Sequence, residues 1–286
     1  MQKYNPKDWF GLIFRFHKSD TFRKLFWIMV SLAVYAVLLV YLELEVFNLE
    51  FASPVMHSLL GFVISLLLVF RTNTAYDRWW EGRKQWGALV NVSRNILLKF
   101  NAFTHDEAAK QRMSHLVAAY AHVLKEHLRE TSHKEKAALL PSFVTNTKPV
   151  HVPNNIAAHM QLEIELLKKD RTISDTAYLA LLNDLSTFTD ICGACERIKK
   201  TPIPYNYNIF IKKFIFAYIV TIPIGFAAEY GYWAVFMAVF SFYTLASLEL
   251  IAEDIEDPFG KDPDDLPTDD LANTIEKNSN ELVSNE

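Results

Sequence analysis

The stretch GFVISLLLVFRTNTAYDRWWEGRKQW, residues 61–86, joins an apolar half to a charged half. Its first ten residues carry no charge, whereas the second half begins with Arg71 and continues through Asp77 to further charged residues. No proline interrupts the stretch, and no glycine lies between Gly61 and Gly82. The sequence therefore predicts one helix that leaves an apolar environment and continues into a polar one.

The composition limits the classes of protein to which this chain can belong. Of the 286 residues 51% are hydrophobic, and the net charge of -4 with a pI near 6.2 gives no reason to expect a nucleic-acid partner. Four apolar stretches, at residues 25–42, 54–70, 214–228 and 232–250, stand in two pairs around a polar middle. Crossing a bilayer takes ~20 residues, so we predict four transmembrane helices. The alternative for the third stretch is a buried hairpin with the fourth in a soluble protein.

The charges that flank these stretches predict their orientation. The first loop carries Glu43, Glu45 and Glu50 without Lys or Arg, and the last link carries only Glu229. Lys and Arg are concentrated before the first stretch, after the second and before the third. The positive-inside rule then places both termini and the middle region in the cytoplasm, with the protein in the cell (inner) membrane.

The predicted organisation follows from the spans and the loop charges together. It comprises a cytoplasmic N-terminal segment (1–24), transmembrane helices 1 and 2 (25–70), a helical cytoplasmic region (71–209), transmembrane helices 3 and 4 (210–250) and an acidic cytoplasmic tail (251–286).

Helical spacing of apolar residues runs through the middle region, and no alternating pattern predicts a strand. We therefore predict an all-α fold. Ser174 is a candidate N-cap for the helix that begins near Asp175, and Pro202 with Pro204 should end that helix. The tail after Phe259 is acidic and contains proline, so we expect it to be extended or disordered unless it lies on another subunit.

Three motifs resemble landmarks of one known family. FRTNTAYDRWWEGRKQWGALVN (70–91), ERIKKTPIPYNY (196–207) and IEDPFG (255–260) are similar to those of bacterial bestrophin homologues and occur in the same order. The resemblance covers residues 5 to 265. It implies a bestrophin-like homopentameric ion channel, in which the second transmembrane helix lines a narrow apolar neck and continues into the cytoplasmic region.

The candidate neck is a stripe on that second helix. Phe62, Leu66 and Phe70 are spaced by four residues and share one helical face. From the spacing alone, this face either packs on another helix or lines a pore. The resemblance implies that the three residues form apolar rings, which can gate a channel by losing their water. Leu66 is a mild departure, because the family neck often carries Ile or Phe.

The charged half of the helix offers candidates for a vestibule or for subunit contacts: Asn73, Asp77, Arg78, Trp79, Trp80 and Glu81. The acidic members either face water below the neck or pair with basic residues on the same helix or on a neighbouring subunit. The arginine beside two indoles favours cation–π stacking and subunit contacts.

The resemblance also implies a second constriction at the cytoplasmic mouth of the channel. It corresponds here to Thr176, directly after Asp175, with Tyr178 or Leu179 as the alternatives. Many relatives carry an aliphatic residue at this ring, and a hydroxyl makes the ring more hydrated.

The sequence offers two kinds of possible ligand side chain, cysteine and histidine. Cys192 and Cys195 have the spacing of a redox or metal pair, but neither a βαβ context nor further ligands accompany them, so we predict buried structural thiols. The histidines of the second cytoplasmic helix are expected to be partly exposed rather than metal ligands: His115, His122 and His127. His57 lies in a transmembrane stretch and is a candidate for function, since ionisable groups are costly there.

An acidic cluster follows the third motif and consists of Asp262, Asp264 and Asp265. Animal relatives bind Ca²⁺ at the matching place, but Lys261 and Pro263 interrupt the run here, and Ca²⁺ takes about six to eight oxygen ligands. We therefore expect no metal and no other cofactor, and keep the three aspartates as candidate calcium ligands. The acidic residues that end the fourth stretch are expected to make subunit contacts: Glu253, Asp254, Glu256 and Asp257.

Together with these patterns, the resemblance implies a passive homopentameric channel for small monovalent ions, with the lipid bilayer and further copies of the chain as partners. The acidic outer loops favour cations over chloride if they face the pore. The alternatives are an anion-selective channel of the same architecture and a non-conducting membrane scaffold or signalling protein. No paired carboxylates, nucleophile–base pair or phosphate-binding loop stands out, so we do not expect an enzyme.

Overall fold

The computed structural model describes residues 20–47, 54–130 and 151–284, and no strand occurs among them. The predicted N-terminal segment up to residue 19 and the predicted loop residue Glu50 lie outside this range. The helices are α1 Asp20–Tyr41, continued by a π-helical turn Leu42–Phe47, then α2 Pro54–Phe103, α3 Glu107–Leu128, α4 Val152–Lys169, α5 Asp175–Lys200, α6 Tyr205–Tyr230, α7 Trp233–Glu256 and α8 Thr268–Ser284. The predicted all-α fold is confirmed.

The chain divides into two compact units. Of the described residues, the transmembrane unit comprises 20–47, 54–77 and 202–256, and the polar unit comprises 78–130, 151–201 and 257–284. The helix α2 is continuous from Pro54 to Phe103 and contributes its apolar half to the first unit and its charged half to the second. The prediction of one uninterrupted helix through the opening stretch is therefore confirmed.

Four helices of the described chain are long and apolar enough to cross a membrane: α1 with its π-helical turn, α2, α6 and α7. They correspond to the four predicted spans. In the transmembrane unit, α7 packs against both α1 and α6. Buried residues of α2, α6 and α7 form the larger apolar cluster among the described residues of this unit, which includes Ile64 and Leu68 of α2 with Ile215 and Ile219 of α6.

Two glycines make room for ring side chains between α2 and α6. A Cβ atom at Gly61 would lie 2.8 Å from the Tyr218 hydroxyl, and one at Gly225 would lie 2.7 Å from the His57 ring. Small residues at helix contacts are typical of membrane proteins, because packing rather than water exclusion holds the helices together. The predicted functional candidate His57 thus packs over Gly225 and lies 5.6 Å, ring to ring, from Phe226.

A buried ion cluster fixes the end of the apolar half of α2. The Arg71 side chain is fully buried, with Nη2 donating to Glu256 Oε2 at 2.7 Å and Nε 3.7 Å from Glu249 Oε2. The second oxygen of Glu256 accepts from the backbone N–H of Ile203 at 2.7 Å. The expectation that Glu256 and its acidic neighbours make subunit contacts is therefore wrong for Glu256, because its carboxylate is used inside one chain.

The remaining acidic residues at the end of α7 also have partners in the same chain. Lys24 lies 3.5 Å from Asp254, and Lys212 donates to Glu253 at 2.9 Å. In the polar unit, Lys199 pairs with Asp257. These three carboxylates therefore have basic partners within one chain, and their predicted subunit contacts stay a prediction.

Replacing Arg71 by Met should lower the free energy of unfolding by about 3–5 kcal/mol, because two buried carboxylates lose their counter-ion. Lys212→Met removes an exposed pair of similar length and should cost about 1 kcal/mol or less. Equilibrium unfolding in detergent micelles, followed by tryptophan fluorescence, compares the two variants. Equal losses of stability would show that the buried cluster is not a main support of the fold.

The polar unit has one large apolar core. The charged half of α2 contributes Trp86, Leu89 and Phe100 to it, and the other four helices of the unit pack their buried faces around these side chains. Asp106 caps α3 by accepting from the backbone N–H groups of Ala108 and Ala109. Ser174 caps α5, as predicted, and α5 ends at Lys200, before the two predicted prolines.

The expectation of an extended or disordered tail is wrong, because residues 268–284 form α8 and pack along α3. The buried face of α8 carries Ala272, Ile275 and Ser279 at helical spacing, and Ser114 on α3 donates to the Ser279 carbonyl at 2.8 Å. The sequence did not predict this amphipathic helix, because its apolar residues are few and most of the remaining residues of α8 are polar or acidic.

Polar contacts bind α8 to the last turns of α3. Asp269 accepts from Lys125 at 2.8 Å and from two nitrogens of Arg129 at 2.8 and 3.1 Å. The Arg129 and Lys125 cations hold the pKa of Asp269 well below its usual range, although partial burial opposes them. Both cations are nearly buried, so they depend on this carboxylate.

We expect Asp269→Asn to lower the free energy that holds α8 in place by about 1–2 kcal/mol. This value is at the low end for charged hydrogen bonds, because water screens the half-exposed carboxylate. Amide exchange in residues 268–284 should accelerate roughly 5–30-fold. Glu281→Gln is the control, since Glu281 only approaches Lys277 at 3.6 Å on the exposed face. Unchanged exchange in the Asn variant would contradict this account.

The same contact predicts a pH dependence. Because the folded pKa of Asp269 is lowered, its contribution to the stability of α8 is complete at pH 7 and is lost as the pH falls below about 4.

Candidate ion-conduction pathway

The predicted neck residues lie on a face of α2 that no other part of the described chain covers. Phe62, Leu66 and Phe70 are exposed by 67%, 45% and 56%. At 100° per residue these three positions fall within about 80° of one another on the helix. Ile64 and Leu68, which pack in the apolar cluster of the unit, lie on the opposite side. The structure therefore leaves the predicted neck face available to other copies of the chain or to a pore.

The same face of α2 becomes polar one turn further on. Asn73 and Asp77 are both exposed and continue the face below Phe70. The only Lys or Arg between residues 55 and 77 is Arg71, whose side chain is buried on the opposite side and neutralised by carboxylates. The exposed face thus runs from large apolar groups to an amide and a carboxylate, with no cation on it.

Glu81 lies in the polar unit and is paired along its own helix. Its carboxylate lies 2.6 Å from Lys84 Nζ and accepts from Gln85 Nε2 at 2.8 Å. Of the two alternatives predicted for this residue, a vestibule position or an ion pair, the structure shows an ion pair on the same helix.

Arg78 and Trp79 bind the backbone of neighbouring segments. Arg78 donates through Nη2 to the Ile198 carbonyl at 2.6 Å and through Nη1 to the Thr201 carbonyl. These carbonyls end α5, where a helix lacks its own hydrogen-bond donors. Trp79 Nε1 donates to the Asp264 carbonyl at 3.0 Å, and Trp80 is about half-exposed. The motif therefore connects α2 with the end of α5 and with the loop before α8.

The predicted aperture residues begin α5. Asp175 is exposed and pairs with Lys168, and Thr176 is exposed beside it. Of the two alternative positions, Leu179 is exposed and Tyr178 is partly buried against the core. Thr176 and Leu179 are thus both accessible at this end of the helix, whereas Tyr178 contributes to packing.

The candidate calcium ligands lie in the turn between α7 and α8. Asp265 is buried, and its Oδ2 accepts from the Asp262 N–H at 2.6 Å. Burial raises the pKa of Asp265 to about 6, although the hydrogen bond from Asp262 acts against this. A Cβ atom at position 260 would lie 2.5 Å from Asp265 Oδ2, so Gly260 allows the turn to close. The carboxylate of Asp265 thus supports the turn itself, and the calcium assignment stays a prediction.

The two cysteines are free thiols packed in the core of the polar unit. Burial raises the pKa of Cys192 to about 11 and that of Cys195 to about 12. Thiols of this kind are poor nucleophiles and poor metal ligands at neutral pH. The prediction of buried structural cysteines is confirmed.

One histidine of α3 differs from the prediction. His115 is exposed, but His122 is buried, with Nε2 2.8 Å from Glu276 of α8. His127 Nε2 lies 2.6 Å from Glu196 Oε1, and His151 Nε2 lies 2.7 Å from the same oxygen. The expectation of partly exposed side chains is therefore wrong for His122, whereas His127 is partly exposed as predicted. Their partners come from helices distant in sequence, which the spacing along α3 could not reveal.

Glu196 is the shared acceptor of the last two histidines. Burial raises the pKa of Glu196, but the hydrogen bonds from His127 and His151 outweigh burial and hold the pKa below its usual value. The spacing of these three residues in the sequence did not predict that they meet, since they lie at the end of α3, before α4 and near the end of α5.

Comparison with known proteins gives one consistent family. A family model described as bacterial/fungal bestrophin protein matches residues 1–281. The voltage-dependent anion channel-forming protein alr2987 of Nostoc sp. is 33% identical over 292 residues, which cover 97% of this chain and 92% of that protein. The voltage-dependent anion channel-forming protein YneE of Escherichia coli is 31% identical over 225 residues, which cover 77% and 73% of the two chains.

Solved structures show the same architecture. A bacterial bestrophin homologue from Klebsiella pneumoniae carrying a point mutation superposes with a TM-score of 0.83 at 28% identity, over 89% of this chain and 97% of that chain. A further variant, described as a membrane protein, gives a TM-score of 0.86 at 25% identity over 91% and 98% of the two chains.

Proposed function

The chain belongs to the bacterial and fungal bestrophin family, and from this we propose that several copies of it form an ion channel in a membrane. The observation that carries the proposal is the face of α2 with Phe62, Leu66 and Phe70, which is exposed in a single chain and opposite to the packed face. The family is one of ion channels, in agreement with the expectation that the chain is not an enzyme.

Five copies around one axis, as the resemblance to bestrophins implies, would turn this face inward. Each level of the stripe then becomes a ring of apolar side chains, and three rings follow one another at the spacing of one helical turn. Such rings offer an ion no oxygen ligands, so a narrow neck gates by losing its water. Asn73 and Asp77 would line the wider, wetted part that follows.

Substituting the whole stripe by alanine tests the neck. We expect Phe62→Ala, Leu66→Ala and Phe70→Ala together to raise ion flux through vesicles by about tenfold, which corresponds to a barrier lower by about 1.4 kcal/mol. The control is Phe236→Ala with Phe240→Ala, since these α7 side chains are equally exposed and also spaced by four. Vesicles that stay ion-tight with every variant would favour the scaffold alternative, and equal effects of the two sets would refute the assigned neck.

We propose that cations are favoured over chloride. Asp77 is the only charged side chain on the exposed face of α2 between residues 55 and 77, and Arg71 is neutralised in the protein interior. Of the acidic outer residues, Glu45 and Glu229 are exposed, whereas Glu43 is buried. A pore lined with carboxylates lowers the energy of a cation and raises that of an anion. Anion selectivity is the alternative, because the relatives are named as anion channel-forming proteins.

Recordings from planar bilayers under a KCl gradient decide the sign of the permeating ion. We expect the reversal potential to lie near the K⁺ equilibrium value and to move toward zero in Asp77→Asn, with Glu281→Gln as the control on the exposed face of α8. A reversal potential at the chloride equilibrium value would establish the anion alternative. A cation preference that does not change in Asp77→Asn would remove this residue from the pathway.

The proposal has two further parts, the orientation in the membrane and a second ring at the cytoplasmic mouth. The charge distribution supports an inner-membrane protein with both termini in the cytoplasm. The exposed start of α5 supports a second ring at Thr176 and Asp175, at the cytoplasmic mouth. A hydroxyl ring there is hydrated and would limit the ion less than the apolar neck does.

A further inference from the structure

Three side chains of metal-ligand type meet in the polar unit, although three separate segments supply them. His127 comes from the last turn of α3, His151 precedes α4, and Glu196 comes from the last turns of α5. One ligand atom from each lies within 4.8 Å of the other two. The two Nε2 atoms lie 2.6 and 2.7 Å from the same carboxylate oxygen, and the imidazole rings are 4.7 Å apart.

From this geometry we propose that His127, His151 and Glu196 bind a divalent transition-metal ion, with Zn²⁺ as the ion best matched to the set. Two imidazoles and one carboxylate are a ligand set that zinc sites use, with an open fourth position for water. Zinc bonds of about 2.1 Å in tetrahedral geometry separate the ligand atoms by roughly 3.3 Å. Each histidine therefore needs to withdraw from Glu196 by less than about 1 Å.

The surroundings leave room for the ion. The three side chains are partly buried, exposed by between 20% and 29%, so an ion can reach them from solvent. A cavity of about 310 Å³ adjoins His127 and Glu196, and Glu126 and Glu130 also line it. Lys200 lies 3.5 Å from the second oxygen of Glu196, too far for a strong hydrogen bond, and leaves the first oxygen to the two histidines.

The hydrogen bonds of His151 show what changes on binding. Its Nδ1 accepts from the Asn154 N–H at 3.2 Å and so caps α4, which places the ring proton on Nε2. A metal at Nε2 requires that proton on Nδ1, so binding replaces this long cap bond and both histidine–carboxylate bonds. Without metal the same residues form a hydrogen-bonded link between the three segments, and that link is the competing interpretation.

The proposal does not rest on channel activity, and binding can be measured directly. Full-length protein without a polyhistidine tag is purified in detergent, treated with a chelator and titrated with ZnCl₂ by calorimetry, with Co²⁺ absorption spectra as a second readout. We expect about one Zn²⁺ per subunit, a thermal transition that rises with added Zn²⁺, and faster amide exchange at the start of α4 on binding.

Matched variants separate this site from other histidines. His127→Ala and Glu196→Gln should each abolish the stoichiometric binding, and Glu196→Gln retains the shape of the side chain if the alanine variant fails to fold. His115→Ala is the control, because His115 is exposed on the same helix. Absence of saturable binding, or equal binding in Glu196→Gln and the unmodified protein, would overturn the proposal and leave only the hydrogen-bonded link.

Discussion

The buried position of Arg71 is the constraint on which the transmembrane unit depends. A guanidinium next to an apolar run cannot face lipid at low cost, and here Glu256 and Glu249 of α7 enclose it. The side of α2 that carries Arg71 is therefore the side that faces α7 within the chain. The opposite side, which carries Phe62 and Phe70, stays exposed in a single chain. One ion cluster thus decides which apolar residues of α2 stay uncovered within the chain.

The two units hold their helices by different means. In the transmembrane unit, ring side chains pack over Gly61 and Gly225 and aliphatic residues pack beside them, as expected where water exclusion adds little between helices. In the polar unit a large apolar core is present, and charged side chains add hydrogen bonds to the ends of neighbouring helices. Arg78 is an example, since it binds the carbonyls that end α5.

Polar residues near the end of α3 contact two different neighbouring helices. His122, Lys125 and Arg129 all bind acidic or polar groups of the segment that forms α8, whereas His127 turns to Glu196 on α5. The last turns of α3 therefore connect the C-terminal helix with the place where His151 begins α4. If the proposed metal binds there, its occupancy acts on contacts that hold three segments of the polar unit, remote in sequence from the neck residues.

The sequence by itself determined the features that depend on neighbours a few residues away. Hydropathy over ~20 residues predicted the four spans, helical spacing predicted the stripe through Leu66, and composition around Cys192 predicted buried thiols. Only the tertiary structure decided the partners of Arg71. They are Glu249 and Glu256, which lie 178 and 185 residues further along the chain (249 − 71 and 256 − 71). It also decided the meeting of His127 with His151 and the docking of α8. Such contacts follow from how helices pack, and a polar side chain in a sequence does not show which distant group will neutralise it.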